Sequence, residues 1–129
     1  MKRDWDVMRK IMLEVDRLEL SDGQLTSNDV SGVPREIAAY HMTLLIEGYL
    51  AEGGTREESP VGLIPQPFLT RTIPPMFMVR LTRDGCTLLN EIRRNQTWSA
   101  IKRLARVKGV PLSRVEIEGA AAAIKLRRK

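Results

Sequence analysis

The chain has 129 residues, 43% apolar and 29% charged, with a formal net charge of +5. That length and balance fit one globular domain with a core of its own and exclude a disordered chain. Cys86 and His41 are each the single residue of their type, and no apolar run approaches the roughly 18 residues of a membrane span, so a disulfide scaffold, a Cys/His zinc site and a membrane protein are set aside.

Taken in order, MKRDWDVMRK mixes acids and bases without an apolar segment, unlike a secretory signal, and the expected location is the cytoplasm. Residues 4–18 predict a first helix, with Trp5, Met8, Ile11, Met12, Val15 and Leu18 as the buried stripe and Asp4 and Asp6 at its positive end. Residues 21–33 are rich in Ser, Asp, Asn and Gly and read as a loop with a short strand near Gln24 to Thr26. The middle helix of a helix-turn-helix is expected to be missing here, or reduced to a turn.

Arg35 to Leu50, REIAAYHMTLLIEGYL, organises the chain. Its spacing predicts a helix with Ile37, Tyr40, His41, Leu44 and Leu45 on one broad stripe, Pro34 in the first turn and Gly48 as the stop. In a winged helix this is the third helix, and the strand that opens the wing would begin at Tyr49. The run AEGGTREES is turn-like, and prolines at 60, 65, 67, 74 and 75 predict a long, irregular wing. Met76 to Leu81 is the returning strand, with Tyr49 to Glu52 as its expected partner.

A helix then starts with Thr82 as cap and Cys86, Leu89 and Ile92 on one face, which makes Cys86 a small core residue. A further helix from Thr97 to Lys108 turns Trp98, Ile101, Leu104 and Ala105 inward and Lys102, Arg103 and Arg106 outward, with Gly109 as its stop. Ser113 and Glu116 form an S-x-x-E cap for a last helix carrying Val115, Ala120 or Ala121, Ile124 and Leu126. Its alanine run makes it slender enough for close packing, and a homodimer through this helix is one partner it suits. The fold class expected is α+β, mostly helical: a winged-helix-like domain with a two- or three-stranded wing and additional C-terminal helices. It is read as one domain, with a winged-helix-like part at 1–81 and basic C-terminal helices at 82–129.

Charge divides along the same line. Residues 1–79 hold 8 Lys/Arg against 12 Asp/Glu, and residues 80–129 hold 13 against 4. Arg93, Arg94, Lys102, Arg103, Arg106, Lys108 and Arg114, with the tail Lys125, Arg127, Arg128 and Lys129, form a surface for duplex DNA or for an acidic host protein. On the central helix the candidate recognition residues reduce to Arg35, His41 and Thr43, and Arg35 is offset by Glu36 and Glu47, so direct readout by that helix is the weaker expectation. His41 is read as a core or boundary imidazole bonded to backbone, because no nucleophile or carboxylate is spaced to partner it as a general base. Tyr40 and Tyr49 are read as packing residues. Asn95-Gln96-Thr97 matches a glycosylation sequon that has no meaning in the cytoplasm.

The opening MKRDWDVMRKIMLEV, the YH-x-x-LL core at Tyr40, His41, Leu44 and Leu45, the LT-x-x-G start at Leu81, Thr82 and Gly85, and the spacing from Ile92-Arg93 to Trp98 together resemble domain-of-unknown-function family twenty-five-thirteen, small proteins common in phages and prophages. The resemblance implies a winged-helix-like fold and, from that fold, a regulatory DNA-binding role in transcription. Where the family tends to have Glu-Ala-Gly-Leu, this chain has Glu47-Gly48-Tyr49-Leu50, and where the LT-x-x-G segment has Trp and His it has Arg83 and Cys86. The expected function is that of a non-enzymatic, DNA-associated regulator without metal or cofactor. The alternative is a protein-interaction module such as a phage-encoded inhibitor of a host defence complex.

Overall fold

A computed structural model describes residues 2–19, 23–55 and 75–127, so of the wing expected at 51–81 the part at 56–74 lies outside the described residues. The order is α1 (Trp5–Glu19), β1 (Leu25–Thr26), α2 (Arg35–Glu47), β2 (Ala51–Thr55), β3 (Met76–Leu81), α3 (Arg83–Ile92), α4 (Asn95–Lys108) and α5 (Arg114–Arg127). The protein is therefore α+β and mostly helical. The chain divides into two compact units, Met1–Gly85 and Cys86–Lys129, so the division falls inside α3.

In the first unit, Asp4 starts α1 by accepting the Asp6 N–H on its carboxylate at 2.9 Å, which satisfies one of the amides a helix start leaves open. Trp5, Met8, Ile11, Met12 and Val15 are buried, and Leu18 is half-buried at the far end. On the same helix, partial burial draws the pKa of Arg9 down, with the nearby charge of Asp6 opposing. Helix α1 packs on α2 and β3, and α2 packs on β2 and β3.

The sheet is antiparallel with strand order β1-β3-β2. Beyond the two residues of β1, Ser27 continues the edge: its N–H donates to the Met76 carbonyl and its hydroxyl accepts the Met76 N–H at 3.1 Å. No helix lies between β1 and α2 among the described residues, as the Ser- and Gly-rich composition of that stretch requires. Helix, strand, helix and two paired strands in this strand order parallel a winged helix without its middle helix.

Three expectations are corrected in this unit. The buried side of α2 is Ala38, Ala39, His41, Met42 and Leu45, while Ile37, Tyr40 and Leu44 are half-buried. The small alanines face the core because they let α2 approach its neighbours closely, and the larger residues lie along the margin. Next, β2 begins at Ala51, and its register with β3 slips between Glu52, opposite Arg80, and Gly53, opposite Met78. A Cβ on Gly53 would collide with the Phe77 carbonyl, so this bulge needs glycine.

Third, Gly48 ends α2 at φ −82°, and the left-handed residue is Tyr49 at φ 60°. That is the position at which the resembled family has its glycine. Tyr49 is 78% exposed, so it is not the packing residue expected from the sequence.

The turn after α2 is held by the LT-x-x-G segment. Leu81 is buried, the Thr82 N–H donates to the Leu50 carbonyl at 3.0 Å, and the Thr82 hydroxyl donates to the Tyr49 carbonyl at 2.6 Å. The same hydroxyl caps α3 by accepting the Gly85 N–H at 3.0 Å. Gly85 lies against the Leu50 carbonyl so closely that any Cβ would collide with it. Leu81, Thr82 and Gly85 thus meet a packing, a hydrogen-bonding and a steric demand at one junction.

In the second unit, Leu88, Leu89, Ile92, Trp98, Ile101, Ala105, Ile117 and Ala121 are buried, and α4 packs against α5. Cys86 and Leu104, expected inside, are only half-buried, and of the apolar positions singled out on α5, Val115 and Leu126 are exposed. Ile117, which the sequence reading passed over, is the fully buried anchor of α5. The S-x-x-E cap forms as expected, with the Glu116 N–H donating to the Ser113 hydroxyl at 3.2 Å.

Candidate nucleic-acid interface

Helix α4 and the two-residue link before it carry most of the charged side chains singled out from the sequence. Arg94 is the extended residue that precedes α4, and its carbonyl accepts the Trp98 N–H at 2.9 Å. At the other end Gly109 adopts φ 72°, its N–H meets the Arg106 carbonyl, and the Val110 N–H meets the Ala105 carbonyl. This pair of bonds is a Schellman stop, and Arg106 and Lys108 sit in the last turn where the helix dipole favours positive charge.

The helix buries Thr97, Trp98, Ile101 and Ala105. Its outer side presents Asn95, Ser99, Arg103 and Arg106 at helical spacing, with Gln96 beside them, and all five are exposed. No Asp or Glu occurs anywhere in α4. Lys102 is half-buried, its ammonium 5.8 Å from the centre of the Trp98 ring, an arrangement that fixes a cation beside the exposed face.

The remaining predicted residues distribute around this face. Arg93 and Arg94 are exposed in the link, and a guanidinium nitrogen of Arg93 donates to the Asn90 side chain at 3.3 Å. Lys108 is exposed but lies about 200° round the helix from Arg106, on the other side. Arg114 opens α5 and pairs with Glu118 at 2.8 Å, so part of its charge is answered within the chain. Lys125 lies 3.9 Å from Glu91 beside a cavity of about 200 Å³ that Arg94, Thr97 and Ile124 also line.

Helix α2 offers much less. Arg35 is exposed but shares the first turn with Glu36, and the Thr43 hydroxyl is engaged with the Ala39 carbonyl at 2.9 Å. His41 is 1% exposed, so it is no recognition residue: its Nε2 accepts the Asp4 N–H at 2.8 Å, and its Nδ1 lies 2.7 Å from the Ile37 carbonyl. The first contact requires a bare Nε2 and therefore places the proton on Nδ1. Nε2 thus ties the start of α1 to α2, while Nδ1 is engaged one turn back on α2 itself, so both ring nitrogens are occupied by backbone.

Sequence reasoning missed Asn95, Gln96 and Ser99. Starting the helix at Thr97 placed two of them outside it, and the third drew no notice beside the arginines. The signal was available in the polar run after Arg93-Arg94, which suits the first turn of a helix better than an open loop. Among the described residues no group of three His, Cys, Asp or Glu is arranged to hold a metal ion, and no helix is long and apolar enough to cross a membrane.

These features define a small, mostly helical α+β protein with a three-stranded antiparallel sheet and a positively charged group of C-terminal helices. The chain belongs to the DUF2513 family, described as "Hypothetical protein", which it matches over residues 2–111. A protein of Haemophilus influenzae (strain Rd), described as uncharacterized, is 28% identical over 117 residues, covering 88% of this chain and 86% of its own length. No solved structure matches the chain.

Proposed function

We propose that the protein is a non-enzymatic regulator that associates with duplex DNA through α4. The observation that carries this reading is the acid-free outer face of α4, on which Asn95, Gln96, Ser99, Arg103 and Arg106 are exposed together. Asparagine and glutamine make paired hydrogen bonds to base edges, and serine and the arginines on and before the helix suit phosphate oxygens. A preceding helix joined by the short Arg93-Arg94 link is also the kind of support a groove-entering helix has. The alternative helix, α2, turns its single histidine inward and keeps acids at both ends.

The test is fluorescence anisotropy on labelled duplex DNA with two variants. Replacing Arg103 and Arg106 by Glu removes two cations and adds two acids to the face, and should weaken binding by at least about tenfold. Arg35→Ala should change affinity less. Loss of binding in Arg35→Ala with the double reversal intact would assign the contact to α2. A purified protein that binds no duplex at low salt would transfer the same surface to an acidic protein partner.

A further inference from the structure

Helix α5 buries Ile117 and Ala121, with Ala120 and Ile124 half-buried beside them. The opposite side carries Val115, Gly119, Ala122 and Leu126, at successive spacings of four, three and four residues. Val115 is 77% exposed and Leu126 74%, and Ala122 is exposed between them. A Cβ built on Gly119 would meet nothing within 4 Å. This spacing is that of the apolar seam between two paired helices, yet here its two large members stand in solvent.

The charges beside the stripe indicate what covers it. Glu118 and Lys125 are seven residues apart and therefore border the stripe on the same side. If a second α5 crosses antiparallel, Val115 meets the second copy's Leu126, and Gly119 meets the second copy's Ala122. In that register Glu118 faces the second copy's Lys125, and the two-fold axis repeats the pair. A parallel crossing sets Glu118 against Ala123 and forms no such pair. We propose that α5 is a homodimerisation helix that pairs antiparallel with the α5 of a second copy. The proposal stands independently of any nucleic-acid role.

Gly119 and Ala122 at the middle let the two backbones approach closely, while Val115 and Leu126 close the ends of the seam. Glu118 and Lys125, which now pair with Arg114 at 2.8 Å and Glu91 at 3.9 Å, are themselves solvent-exposed, so both can exchange partners. Three turns of helix cover less than the ~800 Å² per partner of a standard interface, so the dimer is weak and depends on concentration.

Sedimentation velocity over a range of about 5 µM to 1 mM reads the association directly. The wild-type sedimentation coefficient should rise with concentration, and Leu126→Glu should remain monomeric throughout. Because Leu126 is exposed, that variant should keep the wild-type unfolding temperature at the lowest concentration, which separates lost association from lost folding. Lys125→Glu sets like charges against Glu118 and should weaken association at least about tenfold. The double variant Glu118→Lys with Lys125→Glu restores the opposite charges and should recover most of that loss. A wild-type chain monomeric at the highest concentration overturns the proposal, as does undiminished association of Leu126→Glu. Failure of the double variant to recover association overturns the antiparallel pairing.

Discussion

Replacing His41 by Ala tests how the first unit is joined. The imidazole is 1% exposed, and its Nε2 accepts the N–H of Asp4, the residue whose carboxylate also caps α1. Truncation to Ala opens a void in a packed interior, which for a ring smaller than phenylalanine costs about 2–3 kcal/mol. It also strips the Asp4 N–H of its acceptor. Asp4 is exposed, so water can replace part of that bond, and the loss is about 1 kcal/mol, at the low end for an orphaned amide. The total expected is about 3–4 kcal/mol. His41→Phe keeps most of the volume and loses the acceptor, so it should cost about 1–2 kcal/mol. Urea unfolding followed by circular dichroism measures both variants. A loss below about 1 kcal/mol for the Ala variant, or equal losses for Ala and Phe, would refute this account of the join.

Two further variants probe the turn after α2. Tyr49→Gly relieves a left-handed backbone at an exposed side chain, and after the greater freedom of glycine in the unfolded chain is subtracted it should stabilise by about 0.5–1 kcal/mol. A destabilised Tyr49→Gly in the same urea assay would mean that the phenol makes contacts worth more than the strain. Gly85→Ala drives a methyl group into the Leu50 carbonyl, which belongs to rigid backbone, and should cost about 3 kcal/mol, measured as a lower urea midpoint. A wild-type midpoint for that variant would refute the close contact.

The elements were legible where contrast between faces is strong. In α1 the apolar residues recur at helical spacing against charged neighbours, and Asp4 marks the start, so both stripe and boundary could be read. Helix α2 lacks that contrast because AAYHMTLLI is apolar almost all round. The larger residues were then assigned inward, whereas close packing chose Ala38, Ala39 and Met42. Helix α5 misled in the same way: with alanines on several sides, periodicity could not show that Ile117 faces in and that Val115 and Leu126 face out. The role of Tyr49 was hidden because a glycine at 48 explains a helix stop without any need for a left-handed tyrosine. For the candidate site, the concentration of arginine was plain in the composition. Its sorting into an exposed α4 face, a lysine held at Trp98, and an arginine paired with Glu118 depends on helix phase and side-chain contacts.

The salt dependence of DNA binding tests the central reading most directly, because each phosphate contact releases condensed counterions. Arg93, Arg94, Arg103 and Arg106 are the exposed arginines on and before α4, and four phosphate contacts imply a slope of about −3.6 in a plot of log affinity against log salt concentration. Glu replacement of Arg103 and Arg106 should reduce that slope by about two units. A steep wild-type slope that flattens in the variant is expected, measured by anisotropy on one duplex across a salt series. Undetectable binding at the lowest salt, or a slope that the Arg103 and Arg106 replacements leave unchanged, would contradict it.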